Sequence, residues 1–146
     1  MSQTITVGIA DLNVAKGGDV LITHALGSCV GICLYDGLMK IAGLSHIMLP
    51  NSADFSGIDK QGAKYADTAI AMLIRKMELM GAAHARLSAK IAGGAQMFAC
   101  VNNSFARQRI PIAAEDTGKN YGRTQVFSSL DGSMVIRSVN KGEWRY

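Results

Sequence analysis

Two segments hold the residues best suited to chemistry: Thr23-His-Ala-Leu-Gly-Ser-Cys29 and Gly43-Leu-Ser-His46. A thiol and an imidazole are the pair that nucleophilic acyl transfer uses. The thiolate attacks a carbonyl carbon, and the imidazole takes and returns the proton. A thiol of pKa about 8.5 is mostly protonated at neutral pH, so it needs such a neighbour. Gly27-Ser28 before Cys29 suits a tight turn that exposes a side chain and aims backbone N–H groups at a carbonyl oxygen. Thr23 adds a hydroxyl six residues before the thiol. There it can hydrogen-bond the imidazole and orient it, the third role in a nucleophile, base and orienter set. The competing reading makes Cys29 one more small core hydrophobe, and Cys33 and Cys100 are read that way.

The chain must carry Cys29 to His46, and a hairpin can do it. Asp36-Gly37 is a two-residue hairpin signal between the apolar run Val30 to Tyr35 and a return run from Met39. Positions equidistant from that turn lie side by side, so the Cys29 end meets the Ser45-His46 end. Alternation places Cys29 and Cys33 on one strand face. Thr4 to Ile9 and Asp19 to Thr23 read as earlier strands. Asn51 to Ile58 reads as a polar loop. Ala66, Ile70, Leu73, Met77 and Met80 fall at helical spacing, with Gly81 placed as a left-handed C-terminal residue. Arg86 to Ala92 reads as a strand, and Gly93-Gly94 as a break where backbone approaches something closely. Ile110 to Ala114, with Pro111, reads as an edge strand. Gln125 to Ser129 and Met134 to Val139 flank a second hairpin turn at Asp131-Gly132. Strands outnumber helices and come in hairpins, which predicts a single α+β layered domain over residues 1–146 with one main helix.

Composition removes several function classes. Hydrophobic residues make up 49% of 146 residues, which gives a real core and argues against disorder. No apolar run reaches the length of a membrane span, and the N-terminus lacks a signal-peptide pattern. Three cysteines without framework spacing suggest reduced thiols and a cytoplasmic protein. The net charge is +4, but the basic residues are scattered and aromatics reach only 6%, so a nucleic-acid stripe is not expected. The charge suits an acidic protein partner better. His24, His46 and His84 are too dispersed for a metal site, and a zinc site from Cys29, Cys33 and His46 is the weaker alternative. No phosphate-binding glycine motif is present, so no nucleotide, metal or organic cofactor is expected. Asp36 reads as a turn former, His84 as a surface or second-layer residue, and Glu115-Asp116 as a solvated loop.

Several ordered motifs carry a resemblance. Leu26-Gly-Ser-Cys-Val30, Ser45-His-Ile-Met-Leu-Pro50, Lys64-Tyr-Ala-Asp-Thr-Ala69, Lys90-Ile-Ala-Gly-Gly-Ala95 with Met97-Phe98, and Ala114-Glu-Asp-Thr-Gly118 with Asn120 resemble the CheD family of chemoreceptor glutamine deamidases. The resemblance implies a fold like that of toxin-type glutamine deamidases. It also implies Cys29 as nucleophile, His46 as general base and Thr23 as the third catalytic member, with methyl-accepting chemotaxis receptors as substrates and a CheC-type phosphatase as partner. The expected reaction converts glutamine to glutamate through a thioester, with Gly27 and Ser28 at the substrate oxyanion. Two departures stand out. Only Ala99 to Arg109 remain where members carry a longer stretch with a helix, which predicts a missing helix. Lys119 stands where a second glycine is common. The alternative is a non-catalytic interaction module that regulates a CheC-type phosphatase or a receptor by occupancy.

Overall fold

A computed structural model of the chain describes residues 2–49, 62–119, 121–139 and 141–146. The loop expected over Asn51 to Ile58 lies outside the described residues. The strands are β1 (Thr4–Thr6), β2 (Leu12–Lys16), β3 (Val20–Leu26), β4 (Val30–Asp36), β5 (Ile41–Ile47), β6 (Leu87–Gly93), β7 (Ile112–Thr117), β8 (Arg123–Ser128), β9 (Met134–Ser138) and β10 (Gly142–Arg145). The helices are α1 (Ala66–Leu79) and α2 (Phe98–Gln108). The strands form two five-stranded sheets, ordered β1-β3-β8-β9-β10 and β2-β5-β4-β6-β7.

The layers follow from the alternation of β4 and β5, which are buried on both faces. Val30, Ile32, Leu34, Ile41 and Ile47 face α1 and α2, together with Ile70, Leu73, Met77, Val101 and Phe105. Cys33, Ala42 and Leu44 face the other way, against Leu21, Leu26, Phe127, Met134 and Ile136 of the first sheet. A fully buried Leu, Ile or Phe is worth about 1.5–3 kcal/mol, so both seams contribute strongly to the fold. The result is an α+β layered arrangement, as expected: helices, a central sheet and an outer sheet.

The predicted hairpin is present, with Asp36 paired to Ile41 and Val30 to Ile47. Asp36 does more than form the turn. Its carboxylate accepts from the N–H groups of Leu38, Met39 and Ala83 and from Arg86 Nε at 3.0 Å. The Arg86 guanidinium and these N–H groups outweigh its burial and hold the carboxyl at about 2. Helix α1 ends as its Gly81 foretold. Gly81 takes φ +114°, and its N–H and that of Ala82 close on Glu78 O and Met77 O.

The missing helix is a correction. Residues Phe98–Gln108 form α2, which buries Val101, Ser104 and Phe105 against the core. Its reason is topological. β6 and β7 are parallel neighbours, and a parallel pair needs a crossover connection, which α2 supplies. β7 lies at the sheet edge, as Pro111 implied.

Candidate active site

The site forms where the two sheets face each other, and it begins with Thr23. Pairing between β3 and β8 shifts register between Thr23 and Leu26, and Ala25 takes φ +60°. This bulge lies just before Leu26, the last residue of β3, and the chain then turns at Gly27, whose N–H donates to Ala25 O at 3.0 Å. Thr23 stays in register before the bulge and is fully buried. Its Oγ1 lies 2.7 Å from Val7 O and 2.7 Å from His46 Nδ1. A hydroxyl has one proton, and a carbonyl oxygen can only accept. The proton therefore goes to Val7 O, and Thr23 Oγ1 accepts from Nδ1–H. That fixes the imidazole tautomer and leaves the basic lone pair on Nε2. Among the described residues, this Nε2 is buried without a hydrogen-bond partner. Burial also pushes the His46 pKa below its ordinary value.

Cys29 stands just before β4 and is half-buried. Gly31 pairs with His46 across the hairpin, so Cys29 lies two residues toward the open end on the imidazole's sheet face. Burial raises its thiol pKa. Both shifts disfavour charge, so the resting pair is a neutral thiol and a neutral imidazole. The Gly93-Gly94 break is the close approach anticipated. Gly94 N–H donates to Cys29 O at 3.1 Å, and a Cβ on Gly94 would lie 2.6 Å from Ser28 O. A side chain on Gly93 would overlap Cys29 O, so two glycines let β6 brace the thiol's turn. Gly27 N–H is committed to Ala25. The amides of Ser28 and Cys29 have no backbone acceptor among the described residues, which leaves them free for an oxyanion.

A cavity of about 390 Å³ opens beside this turn, lined by Gly27, Ser28, Gly94, Gln96, Lys119 and Tyr121 among others. Two of its lining residues, Gly118 and Tyr121, are contacted by Arg123, the ion-pair partner of Asp116, which reads from the sequence as part of a solvated loop. Instead Asp116 belongs to β7 and is 8% exposed. It accepts from Arg123 Nε at 2.9 Å, from Tyr146 OH at 2.8 Å and from Trp144 Nε1. The buried Arg123 donates onward to Gly118 O and Gly93 O and stacks 4.6 Å from the Tyr121 ring centroid. One ion pair thus ties the cavity wall to the glycines that support Cys29.

Gln125 is a residue that the sequence reading missed. It lies opposite Thr23 in the β3–β8 pairing and is fully buried. Its Nε2 donates to Gly31 O and to Met134 Sδ, each at 3.2 Å. Its Oε1 lies over Gly31, where any Cβ would overlap it, and has no partner among the described residues. The signal was available: in β8 the inward positions are Arg123, Gln125 and Phe127, and a polar residue there needs a reason.

Thr23, Cys29 and His46 therefore share one inter-sheet face, with Gly27 and Ser28 beside the cavity. The other candidates stand apart. Cys33 is buried in the core, Cys100 lies on α2, and His24 is exposed. His84 is half-buried with Nε2 at Gln108 O. Among the described residues, no group of three or more His, Cys, Asp or Glu is arranged to hold a metal ion. No helix among them is long and apolar enough to cross a membrane.

Comparison with known proteins shows the family. Residues 48–138 match the family described as CheD chemotactic sensory transduction. A probable chemoreceptor glutamine deamidase CheD of Clostridium novyi is 49% identical, with 94% of each chain covered. Proteins of the same name from Syntrophomonas wolfei and Clostridium botulinum are 43% and 46% identical, with 98% and 96% of each chain covered. With a family match over residues 48–138 and 43–49% identity to these proteins over nearly the full length, the chain belongs to the CheD family.

Proposed function

We propose that this chain is a protein-glutamine deamidase of chemotaxis that converts chemoreceptor glutamines to glutamate through a Cys29 thioester. The observation that supports the reading is the hydrogen-bond chain Val7, Thr23, His46, which occupies Nδ1 and leaves Nε2 without a partner among the described residues, on the sheet face that strand alternation gives Cys29.

The reaction follows from that chain. His46 Nε2 takes the Cys29 thiol proton, and Sγ bonds to the carboxamide carbon. The oxyanion that forms is met by the Ser28 and Cys29 N–H groups, each donor worth about 3–4 kcal/mol in comparable sites. Nε2–H then protonates the amide nitrogen, the C–N bond breaks, and ammonia leaves a thioester. Water enters, gives a proton to Nε2 and adds to the thioester carbon. The C–S bond breaks, glutamate departs and the thiolate recovers its proton. Thr23 holds the same nitrogen facing the same way through both halves. All of this lies in residues 1–146 acting as one deamidase domain in the cytoplasm.

A non-catalytic binding module was favoured by a missing helix, and α2 occupies that segment. A CheC-type phosphatase remains the inferred regulatory partner on the family resemblance. The test is intact-mass analysis of a chemoreceptor cytoplasmic fragment after incubation with the protein. A gain of about one dalton per site, lost with Cys29→Ala, supports thiol-dependent deamidation, since NH₂ is replaced by OH. Unchanged mass with retained binding to the fragment or to CheC overturns it in favour of the module.

A further inference from the structure

We propose that Gln125 is a positioning residue for His46, its fixed amide oxygen stabilising the imidazolium that forms when Cys29 gives up its proton. The inference deepens the deamidase reading and rests on it for its catalytic consequence. It starts from two pairs that stack across the sheets. In the outer sheet Thr23 is opposite Gln125, and in the central sheet His46 is opposite Gly31. Thr23 meets His46, and Gln125 meets Gly31. The imidazole is thus flanked on its own sheet face by the space above Gly31, and the Gln125 amide fills that space.

The amide cannot easily turn over. Both of its N–H hydrogens have acceptors, Gly31 O and Met134 Sδ, and a flipped amide would set two oxygens against each other. This orientation places the carbonyl end, Oε1, over Gly31 with no donor. A buried, unpartnered amide oxygen costs free energy, and it persists here beside a base that becomes a cation once per half-reaction. A dipole set before the reaction needs no reorganisation when the charge appears, which is where such a group helps most.

The other ionisable groups around the imidazole leave this role open. On the same face of the central sheet stand Cys29, Cys33 and, on β6, Lys90, whose ammonium is held by Gly132 O and Tyr146 O. On β8 the inward cation is Arg123, paired with Asp116. From the β1–β2 connection Asp11 meets His46 through its backbone carbonyl, not its carboxylate. Among the described residues, Gln125 Oε1 is a buried oxygen acceptor without a partner, as are Ser45 Oγ and Ser129 Oγ, and it is the one that lies over Gly31, across the hairpin from His46.

The test uses the full chain with Gln125→Leu, which removes the dipole and keeps the bulk, and Gln125→Glu, which strengthens the negative end. The first readout is NMR titration of the His46 imidazole without substrate, assigned by its loss in His46→Gln. Leucine is expected to lower the midpoint by about half a unit to one unit, and glutamate to raise it by about one unit. The second readout is deamidation: leucine is expected to lower kcat about tenfold with KM unchanged. Gln125→Met, of similar bulk, takes the place of leucine if that variant fails to fold. Midpoints at the wild-type value in both variants, or a leucine effect on KM alone, overturn the proposal. A wild-type protein that deamidates nothing, or a fully active Cys29→Ala, overturns the deamidase reading instead, and the titration still decides Gln125.

Discussion

Replacing Thr23 by valine tests the hydrogen-bond chain most directly. The swap keeps the shape and removes one oxygen. That oxygen serves two buried partners, each at 2.7 Å: the Val7 carbonyl and His46 Nδ1–H. Both then remain in a site where Thr23 and His46 are fully buried. Each stranded group costs about 1–3 kcal/mol, so the variant should lose about 2–6 kcal/mol of stability. At the roughly 2–4 °C per kcal/mol usual for this size, that lowers Tm by about 4–24 °C. The catalytic loss has a different origin. Without the acceptor on Thr23, nothing selects the Nδ1–H tautomer, and a fraction of the imidazoles presents a proton rather than a lone pair to Cys29. A wrong tautomer costs about 10⁴ in kcat in the serine protease triad, where a carboxylate orients the base. A neutral hydroxyl orients less strongly, so a fall of about 10²–10³ is expected here, with KM nearly unchanged. The assay is the deamidation rate by intact mass, read well below the variant's own Tm, with Thr23→Ser alongside. Serine keeps the oxygen and should retain most activity. Wild-type kcat in the valine variant, or equal losses in valine and serine, would refute the argument.

Other consequences can be measured on the same protein. Because burial lowers the His46 pKa, its neutral form persists further into acid than an ordinary histidine. The acid limb of kcat/KM should therefore fall below pH about 6.5, and a limb above that value contradicts the buried, neutral base. Alkylation of Cys29 by iodoacetamide should be slow at pH 7 and rise with a midpoint above that of a free thiol, since burial raises it. Gly94→Ala forces a methyl to within 2.6 Å of Ser28 O, and should abolish most activity while binding of a receptor fragment survives. Asp116→Ala strands the buried Arg123 and should cost about 3–5 kcal/mol by urea unfolding. Acid unfolding should weaken the Asp36 turn. Its carboxyl is held at about 2, so its contribution is present above pH 3.8 and fades as pH falls toward 2.

Much of the site was legible because it is built from local signals. The Asp36-Gly37 turn sets the register of β4 and β5, and that register alone puts His46 across from Gly31 and near Cys29. Apolar residues at steps of three and four announced α1, and a doubled glycine announced a close backbone approach. What escaped depends on contacts between distant segments. The parallel pairing of β6 with β7 cannot be read from either strand, yet it is what demands α2. The helical stripe Met97, Val101, Phe105 is present in the sequence, but the shortness of Ala99 to Arg109 makes the segment read as a remnant. Asp116 reads as a turn residue until Arg123, Trp144 and Tyr146 arrive from three later segments. Gln125 carried no motif at all. Its meaning depends on Gly31, 94 residues away, having no side chain.

The burial pattern itself explains why the thiol need not be charged at rest. Cys29 is half-buried at the open end of the inter-sheet seam, while His46 and Thr23 lie fully inside it. A preformed thiolate–imidazolium pair would place a cation where burial opposes it and where, among the described residues, no carboxylate reaches the ring. In the deamidase mechanism proposed above, proton transfer would then coincide with attack, as negative charge moves from sulfur to the carboxamide oxygen and toward the Ser28 and Cys29 amides. A resting thiol is also slow to oxidise and slow to alkylate, since reactivity follows the thiolate. The two properties come from one cause and should move together. A substitution that exposes the seam, such as Leu26→Ala beside Gly31, should speed alkylation of Cys29 and lower its midpoint toward that of a free thiol. The same variant should slow deamidation, because water then competes for the imidazole. Faster alkylation accompanied by faster deamidation would mean that the buried, neutral pair is not what sets the rate.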